Sequence, residues 1–304
     1  MSQAFALLHV LLALVGAPLL PGLINRVKAW VAGRRGPPLL QAYYDLWKLL
    51  HKGAVYSQTT GWVFRAGPVV GLAAVLGTLP FLPLGGVPAV VAFPGDLVLV
   101  AYLLGLARFF TVLAALDTGS AFEGMGASRE VFFSALAEPA LMLGLAALAA
   151  YSHSLSLTAI YAALGPQAIA AAGPALVLVA AALAVVFLAE NARIPIDDPN
   201  THLELTMIHE VMILDHSGPD LALIEYGAAL KLWVLGALLM GLVVPVRSGA
   251  PLVDLAAGVG GIVVLALTTG VVESVMARLR LVRVPQYLVA ASMLSILALV
   301  LLAR

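Results

Sequence analysis

Eight stretches of about 20 mostly apolar residues recur along the chain, near residues 3–24, 67–86, 97–117, 131–151, 174–191, 222–245, 254–275 and 284–303. At a rise of about 1.5 Å per residue, each is long enough to cross the roughly 30 Å hydrocarbon core of a bilayer. With 62% hydrophobic and only 11% charged residues, no soluble fold could hide this much apolar surface; soluble domains carry roughly 25% charge. The pattern predicts an all-α, polytopic integral membrane protein, residues 1–304 forming a single membrane domain with about eight transmembrane helices. Positive charge follows the first apolar run, from Arg26 to Arg35, and none precedes it. A cleavable signal has the opposite order, so the first helix is expected to be retained. Five prolines in 66–95 predict that the second half of that stretch is a loop. The uncharged stretch 152–173 breaks at Gly165, Pro166, Gly173 and Pro174.

Lys/Arg and Asp/Glu balance at 16 each, which gives no basic signature for nucleic acid. The chain has no cysteine, which excludes disulfides, zinc-thiolate sites and iron–sulfur ligation within it. Any electron carrier must sit in a partner. Twelve of the sixteen basic residues fall in the segments 25–66, 118–130, 192–221 and 276–283, against only Arg247 and Arg304 in the opposite loops and termini. By the positive-inside rule the four basic loops face the cytoplasm and both termini face outside.

Two of these loops have internal order. Segment 37–52 follows Gly36-Pro37-Pro38 and reads as an amphipathic helix, with Leu39, Leu40, Tyr43, Leu46, Trp47 and Leu50 apolar. Segment 201–216 opens with the capping pattern Thr201-His202-Leu203-Glu204 and closes at Gly218-Pro219, so a second amphipathic cytoplasmic helix is expected there. Structured loops of this kind suggest a docking surface or a cavity. Tyrosine and tryptophan at positions 43, 44, 47, 56 and 62 read as interfacial anchors.

A charge at the centre of a spanning helix costs roughly 2.5–3.5 kcal/mol on insertion scales, so such groups face partners or water. Arg108, Glu138, Glu225, Lys231 and Glu273 lie within or at the ends of expected spans, with Asp117 and Glu190 at cytoplasmic span ends. As a set they suggest a proton or ion path; structural pairing or snorkelling is the bland alternative. Arg108 is the natural partner of a buried carboxylate. Glu225 and Lys231, six apart, are offset by roughly 120° around one helix, so each is expected to meet another helix. His202, His209 and His216 recur every seven residues. That separates neighbours by about 10 Å along a helix, too far for one metal ion, and favours a polar face toward a partner. His209-Glu210 lacks the second histidine of a zinc HExxH pattern. No nucleophile triad or phosphate-binding glycine loop is present, so no catalytic residue is expected.

Several motifs then resemble one family. Arg34-Arg35-Gly36-Pro37 is similar to an Arg-x-Gly-Pro motif, followed by Gln41, Asp45 and Lys48 at matching spacing; Arg129 and Glu138 match an arginine and glutamate nine apart. Glu190-Asn-Ala-Arg193-Ile-Pro195-Ile-Asp197 matches Glu-x-x-Arg-x-Pro-x-Asp and leads to Glu204, and Leu223-Ile224-Glu225-Tyr226 matches a glutamate region of the sixth helix. The chain resembles the H-subunit family of proton-pumping NADH–quinone oxidoreductase. It is more closely similar to the matching anchor of energy-converting NiFe hydrogenases of formate hydrogenlyase type, through the segment 201–210 and Lys231.

The resemblance implies a non-catalytic membrane subunit that anchors hydrogenase-like and iron–sulfur soluble subunits beside antiporter-like membrane subunits. It also implies coupling of electron transfer to proton or sodium translocation in the inner (cytoplasmic) membrane. Iron–sulfur clusters and a NiFe centre would belong to the partners. Arg34, Gly36, Pro37, Gln41, Asp45, Lys48, Arg129, Arg193, Asp197 and Glu204 would form the partner interface or redox chamber. Glu138, Glu225, Lys231, Glu190, Glu273 and Arg108 would form the ion path. The shortened stretch between Pro37 and Gln41, and Asn200 and His202 in place of carboxylates, depart from the quinone-reducing branch. A quinone-site H subunit is the second expectation. An autonomous ion or solute transporter is the third, but it gives no reason for two ordered loops.

Overall fold

The structure is a computed structural model that describes residues 2–197 and 207–302. Among these it is all-helical, with one isolated bridge between Leu84 and Val87. Seven helical stretches are long and apolar enough to span a membrane, and a bent pair at the N-terminus raises the count to as many as eight.

The bent pair is α1 (Ser2–Gly16) and α2 (Leu19–Val31), which meet at 51°. The expected straight first span is thus broken, and Pro18 is the cause: its nitrogen cannot donate to the carbonyl of Leu14. Side chains take over the freed acceptors. Tyr226 Oη donates to Leu14 O at 2.9 Å, and Tyr43 Oη donates to Val15 O. The short amphipathic helix α3 (Gln41–Leu50) therefore does form, and Tyr43 ties it to the break. α4 (Trp62–Thr78) runs into a 3-10 turn at Leu79–Phe81, followed by the proline-rich loop the sequence predicts.

α5 (Asp96–Asp117) packs along α4. α6 (Ala121–Ser152) begins ten residues before the expected span at 131. The charges of 118–130 suggest a loop, but Glu123 and Glu130 are buried with partners and the helix continues through them. A short α7 (Leu157–Ala163) precedes α8 (Pro166–Glu190), whose backbone kinks at Ala172, two residues before Pro174. α9 (Gly218–Val243) is the hub: every residue from Leu232 to Leu242 is buried, and it touches α1, α2, α3, α4, α8 and α10. α10 (Pro251–Val275) lies on α2, and α11 (Val284–Leu302) packs between α6 and α8. Outward-facing positions such as Tyr102, Phe109, Val264, Val271, Met293 and Leu297 are apolar and exposed, as a bilayer requires.

The two ends of the bundle differ. One end gathers the four basic segments: Val55 N donates to Ser217 Oγ at 3.0 Å, Thr59 Oγ1 to Thr118 O at 3.2 Å and Arg278 Nη2 to Asp197 at 2.8 Å. The other is closed by two buried carboxylates. Asp96 accepts from Leu157 N and Ser156 Oγ at 2.6 and 2.8 Å, and Asp254 from Ser248 N and Oγ at 2.7 Å each. Basic charge and its loops thus share one end, as the charge count predicts.

Candidate functional site

Four helices and two loops deliver charged groups to a single row. Arg108 of α5 is its centre. Its Nη2 lies 2.6 Å from both carboxylate oxygens of Glu190 at the end of α8, its Nη1 contacts Glu138 of α6, and its Nε lies 3.2 Å from Glu130 Oε1, also on α6. Lys231 Nζ of α9 approaches Glu190 Oε2 at 3.9 Å. On the basic side, Glu130 Oε2 faces His209 Nε2 at 3.1 Å, and His209 Nδ1 faces Asp197 Oδ2 at 3.3 Å. The same Asp197 oxygen accepts the backbone N–H groups of Ile208 and His209, and its other oxygen takes Arg278. A row of alternating charge thus runs from Arg278 at the basic end to Lys231 and Glu138 inside the bundle.

Alternation is what makes the row tolerable in an apolar medium, since a buried ion is stable only when paired and hydrogen-bonded. Outside the spans, the same pairing sets proton affinities. Burial alone would push the His209 imidazole down, but the charge of Glu130 and the hydrogen bond and charge of Asp197 outweigh it and hold it above its ordinary value. Burial alone would raise the Asp197 carboxyl; His209 and Arg278 reverse this and hold it below.

The row lines a cavity of about 430 Å³. Arg193, Glu210 and Glu225 also line it, together with the apolar Pro18 and Pro21 at the start of α2, Ala42 and Leu46 of α3, and Gly67 and Leu72 of α4. A second cavity of about 370 Å³ shares Arg108 and Glu190 and continues past Glu138, Tyr102 and Phe109. There the Glu138 side chain is 51% exposed on an otherwise apolar outer face.

The expected path residues Arg108, Glu138, Glu190 and Lys231 are brought together. Glu225 shares the cavity, and the charges acting on it are the carboxylates of Asp45 and Glu210. Glu273 is not in the row. Its fully buried carboxylate instead joins Lys28 of α2 at 2.8 Å and Arg193 at 3.4 Å, a separate clasp of α2, α10 and the loop after α8.

Among the expected interface residues, Arg129 Nη1 donates to Met207 O at 2.9 Å, and Gln41 Nε2 donates to Asp45 Oδ1 at 2.8 Å. Pro37 O lies 3.5 Å from Arg26 Nη1, and Gly36 passes so close to α2 that a Cβ would stand 2.5 Å from Ala29 Cβ. Arg34 and Lys48 are exposed and do not line the cavity. Glu204 and His202 lie outside the described residues. Asp117 serves the fold: it accepts Gly61 N and Phe64 N at the start of α4, where a helix favours negative charge.

Two expectations need correction. The part of 201–216 that is described holds only a 3-10 turn, Glu210–Ile213. Asp197 pins its backbone, and Ile208, Val211 and Met212 are buried against α6 at Gly126, where a Cβ would stand 2.2 Å from Val211 Cγ1. Tertiary contact overrides the helical pattern. Nor do the histidines form one outward face: His209 enters the charge row, whereas His216 stacks on Phe64 with centroids 3.9 Å apart. Burial pushes the His216 imidazole below its ordinary value. Glu130, Lys28 and the central place of His209 are not expected from sequence. The Arg129-Glu130 pair is the available signal, since a helix reaching back to Ala121 puts Glu130 about 12 Å from Glu138 along one span.

The model of the family described as NADH dehydrogenase matches residues 3–303. Formate hydrogenlyase subunit 4 of Escherichia coli (strain K12) is 33% identical over 287 residues, covering 92% of each chain. Hydrogenase-4 component C of the same organism is 35% identical over 241 residues, 79% of this chain and 75% of that protein. A chain of the membrane-bound sulfane sulfur reductase, an archaeal respiratory membrane complex, has the same fold, with a TM-score of 0.81 at 23% identity over 98% of this chain and 99% of that one. The match along almost the whole sequence, the two relatives above 30% identity and the shared fold agree: this chain belongs to the NADH dehydrogenase family of H-subunit-like membrane proteins.

Proposed function

We propose that the chain is the membrane anchor of a multisubunit redox complex of hydrogenase or formate hydrogenlyase type. Its basic end faces the cytoplasm and binds the soluble arm, whose subunits carry iron–sulfur clusters and a NiFe centre. The charge row couples electron transfer in that arm to proton or sodium movement through antiporter-like membrane subunits. The observation that carries this reading is the continuity of the row, from Asp197 in a loop at the basic end, through His209, Glu130 and Arg108, to Glu138 on the outer face. A half-exposed carboxylate is costly against lipid and fits contact with a neighbouring membrane subunit. The names of the two relatives, a formate hydrogenlyase subunit and a hydrogenase component, favour the hydrogenase branch.

Purification of the tagged chain from its native membrane in gentle detergent tests this. Nickel and iron–sulfur proteins should copurify in fixed ratio. Recovery with flavin- and NADH-oxidising proteins would favour the quinone-reducing branch, and an intact chain without redox partners would favour a transporter.

The apolar part of its lining favours a second reading for the cavity itself. Pro18, Pro21, Ala42, Leu46 and Leu72 would suit the hydrophobic tail of a quinone entering from the bilayer beside α3. Loss of a bound quinone analogue on Leu46→Arg, with the complex intact, is the expected outcome under that reading.

A further inference from the structure

His209 touches both the loop half and the helix half of the row. Each of its ring nitrogens faces a carboxylate oxygen, at 3.1 and 3.3 Å. A neutral imidazole has one N–H and one lone pair, and a lone pair aimed at a carboxylate is repelled. Only the imidazolium, with two N–H groups, satisfies both neighbours. The charged groups around it come from every packed element: Glu130 from α6 with Arg108 of α5 beyond it, Asp197 from the loop with Arg278 behind it, Glu190 from α8 and Lys231 from α9. The ring also lines the large cavity, so water can reach it.

We propose that His209 is the proton donor that loads the helical half of the row, passing its Nε2 proton to Glu130 while Nδ1–H keeps hold of Asp197. The Nε2–H bond breaks and an O–H bond forms on Glu130 Oε2, so an imidazolium and a carboxylate become a neutral imidazole and a carboxylic acid. Glu130 attracts Arg108 through its other oxygen, which lies 3.2 Å from Arg108 Nε as an ion pair without a hydrogen bond. Once neutral, it loosens that pairing, and Arg108 is left to Glu138 and Glu190. The imidazole then takes a new proton from the aqueous phase at the basic end, relayed through cavity water so that no hydroxide is left behind. A change at Asp197, at the partner-facing end, alters the donor's charge balance and so governs the transfer. This role rests on the proposed coupling function and assigns its protonatable joint.

The test has two arms. The first uses the full chain with 15N-labelled histidine in lipid nanodiscs, with the His209 signal assigned from its loss in His209→Gln among the six histidines. In the native chain both His209 nitrogens should carry protons near pH 7. Glu130→Gln and Asp197→Asn should each lower its proton affinity about tenfold or more, one pH unit of midpoint. A neutral His209 at pH 6, or a midpoint unmoved by both substitutions, overturns the proposal. The second arm measures ions moved per electron in the assembled complex. His209→Gln should at least halve that ratio while electron transfer continues, and His209→Lys should keep the complex and its electron transfer but show the same low ratio, since lysine keeps the charge but holds its proton too tightly to pass it on. A native ratio in His209→Gln overturns the donor role. Absence of redox partners alongside an intact titration would contradict the function proposed above and leave the doubly protonated joint standing.

Discussion

Arg108 Nη2 sits 2.6 Å from each carboxylate oxygen of Glu190, and this contact ties α5 to α8, as the same guanidinium's contacts with Glu130 and Glu138 tie α5 to α6. Removing the guanidinium strands the buried carboxylates of Glu130 and Glu190 without their shared partner. Breaking a buried pair by deleting one partner costs about 3–5 kcal/mol. Arg108→Met should therefore sharply lower the melting midpoint of the purified chain in detergent. Arg108→Lys should lower it less, because the charge survives but the planar fork does not. Equal stability of native and Arg108→Met chains would contradict the row as a packing element.

The break between α1 and α2 depends on close packing as well as on Pro18. A Cβ on Gly22 would stand 2.3 Å from the backbone carbonyl of Leu39, which cannot rotate away. Gly22→Ala should destabilise by about 1–3 kcal/mol, the usual range for overpacking. Gly260→Ala is the matched control. Nothing lies within 4 Å of its added Cβ, so it should be neutral or gain up to about 1 kcal/mol from helix propensity. Thermal melts of the two variants check the contrast.

The His209–Asp197 contact makes a pH window. His209 is raised above 6.5 in the fold, so its contribution is complete below 6.5 and is lost as pH rises through the raised value. Asp197 is lowered below 3.8, so its contribution is complete above 3.8 and is lost as pH falls through the lowered value. The difference in melting midpoint between native and His209→Gln chains should be largest between these limits and shrink on the alkaline side. A difference that stays constant from about pH 5 to 9 would contradict the paired imidazolium, given the ordinary histidine value of about 6.5.

Orientation is testable because the chain has no native cysteine. Single cysteines at Ser57, Ser128 and Ser217 belong to the basic end and should be shielded from an impermeant thiol reagent in intact cells. Those at Ser154 and Ser248 lie toward the opposite end and should react. The reverse pattern would invert the proposed topology.

The apolar runs made the spans legible in the sequence because bilayer thickness imposes one length on every crossing helix. Boundaries failed where charge was buried with a partner: Glu123 and Glu130 read as loop residues until their contacts are seen. The break at Pro18 was hidden because a single proline in an apolar run is equally compatible with a kinked span. At the site, Arg108, Glu138, Glu190 and Lys231 were legible from their cost in lipid. Glu273 was legible by the same rule, but cost alone does not say which partner meets the charge; Lys28 and Arg193 do. His209 was invisible as a joint because its partners lie 79 and 12 positions away in sequence, at Glu130 and Asp197.

The central claim is that buried charge in this chain couples redox turnover to ion movement. Glutamine at Glu138 or Glu225 keeps approximate size and hydrogen bonding but removes the titratable charge. The direct measurement is proton or sodium uptake per electron in vesicles reconstituted with the assembled complex, normalised to complex present. Both Glu138→Gln and Glu225→Gln should assemble and show a reduced ratio. Native stoichiometry in both variants would contradict the account.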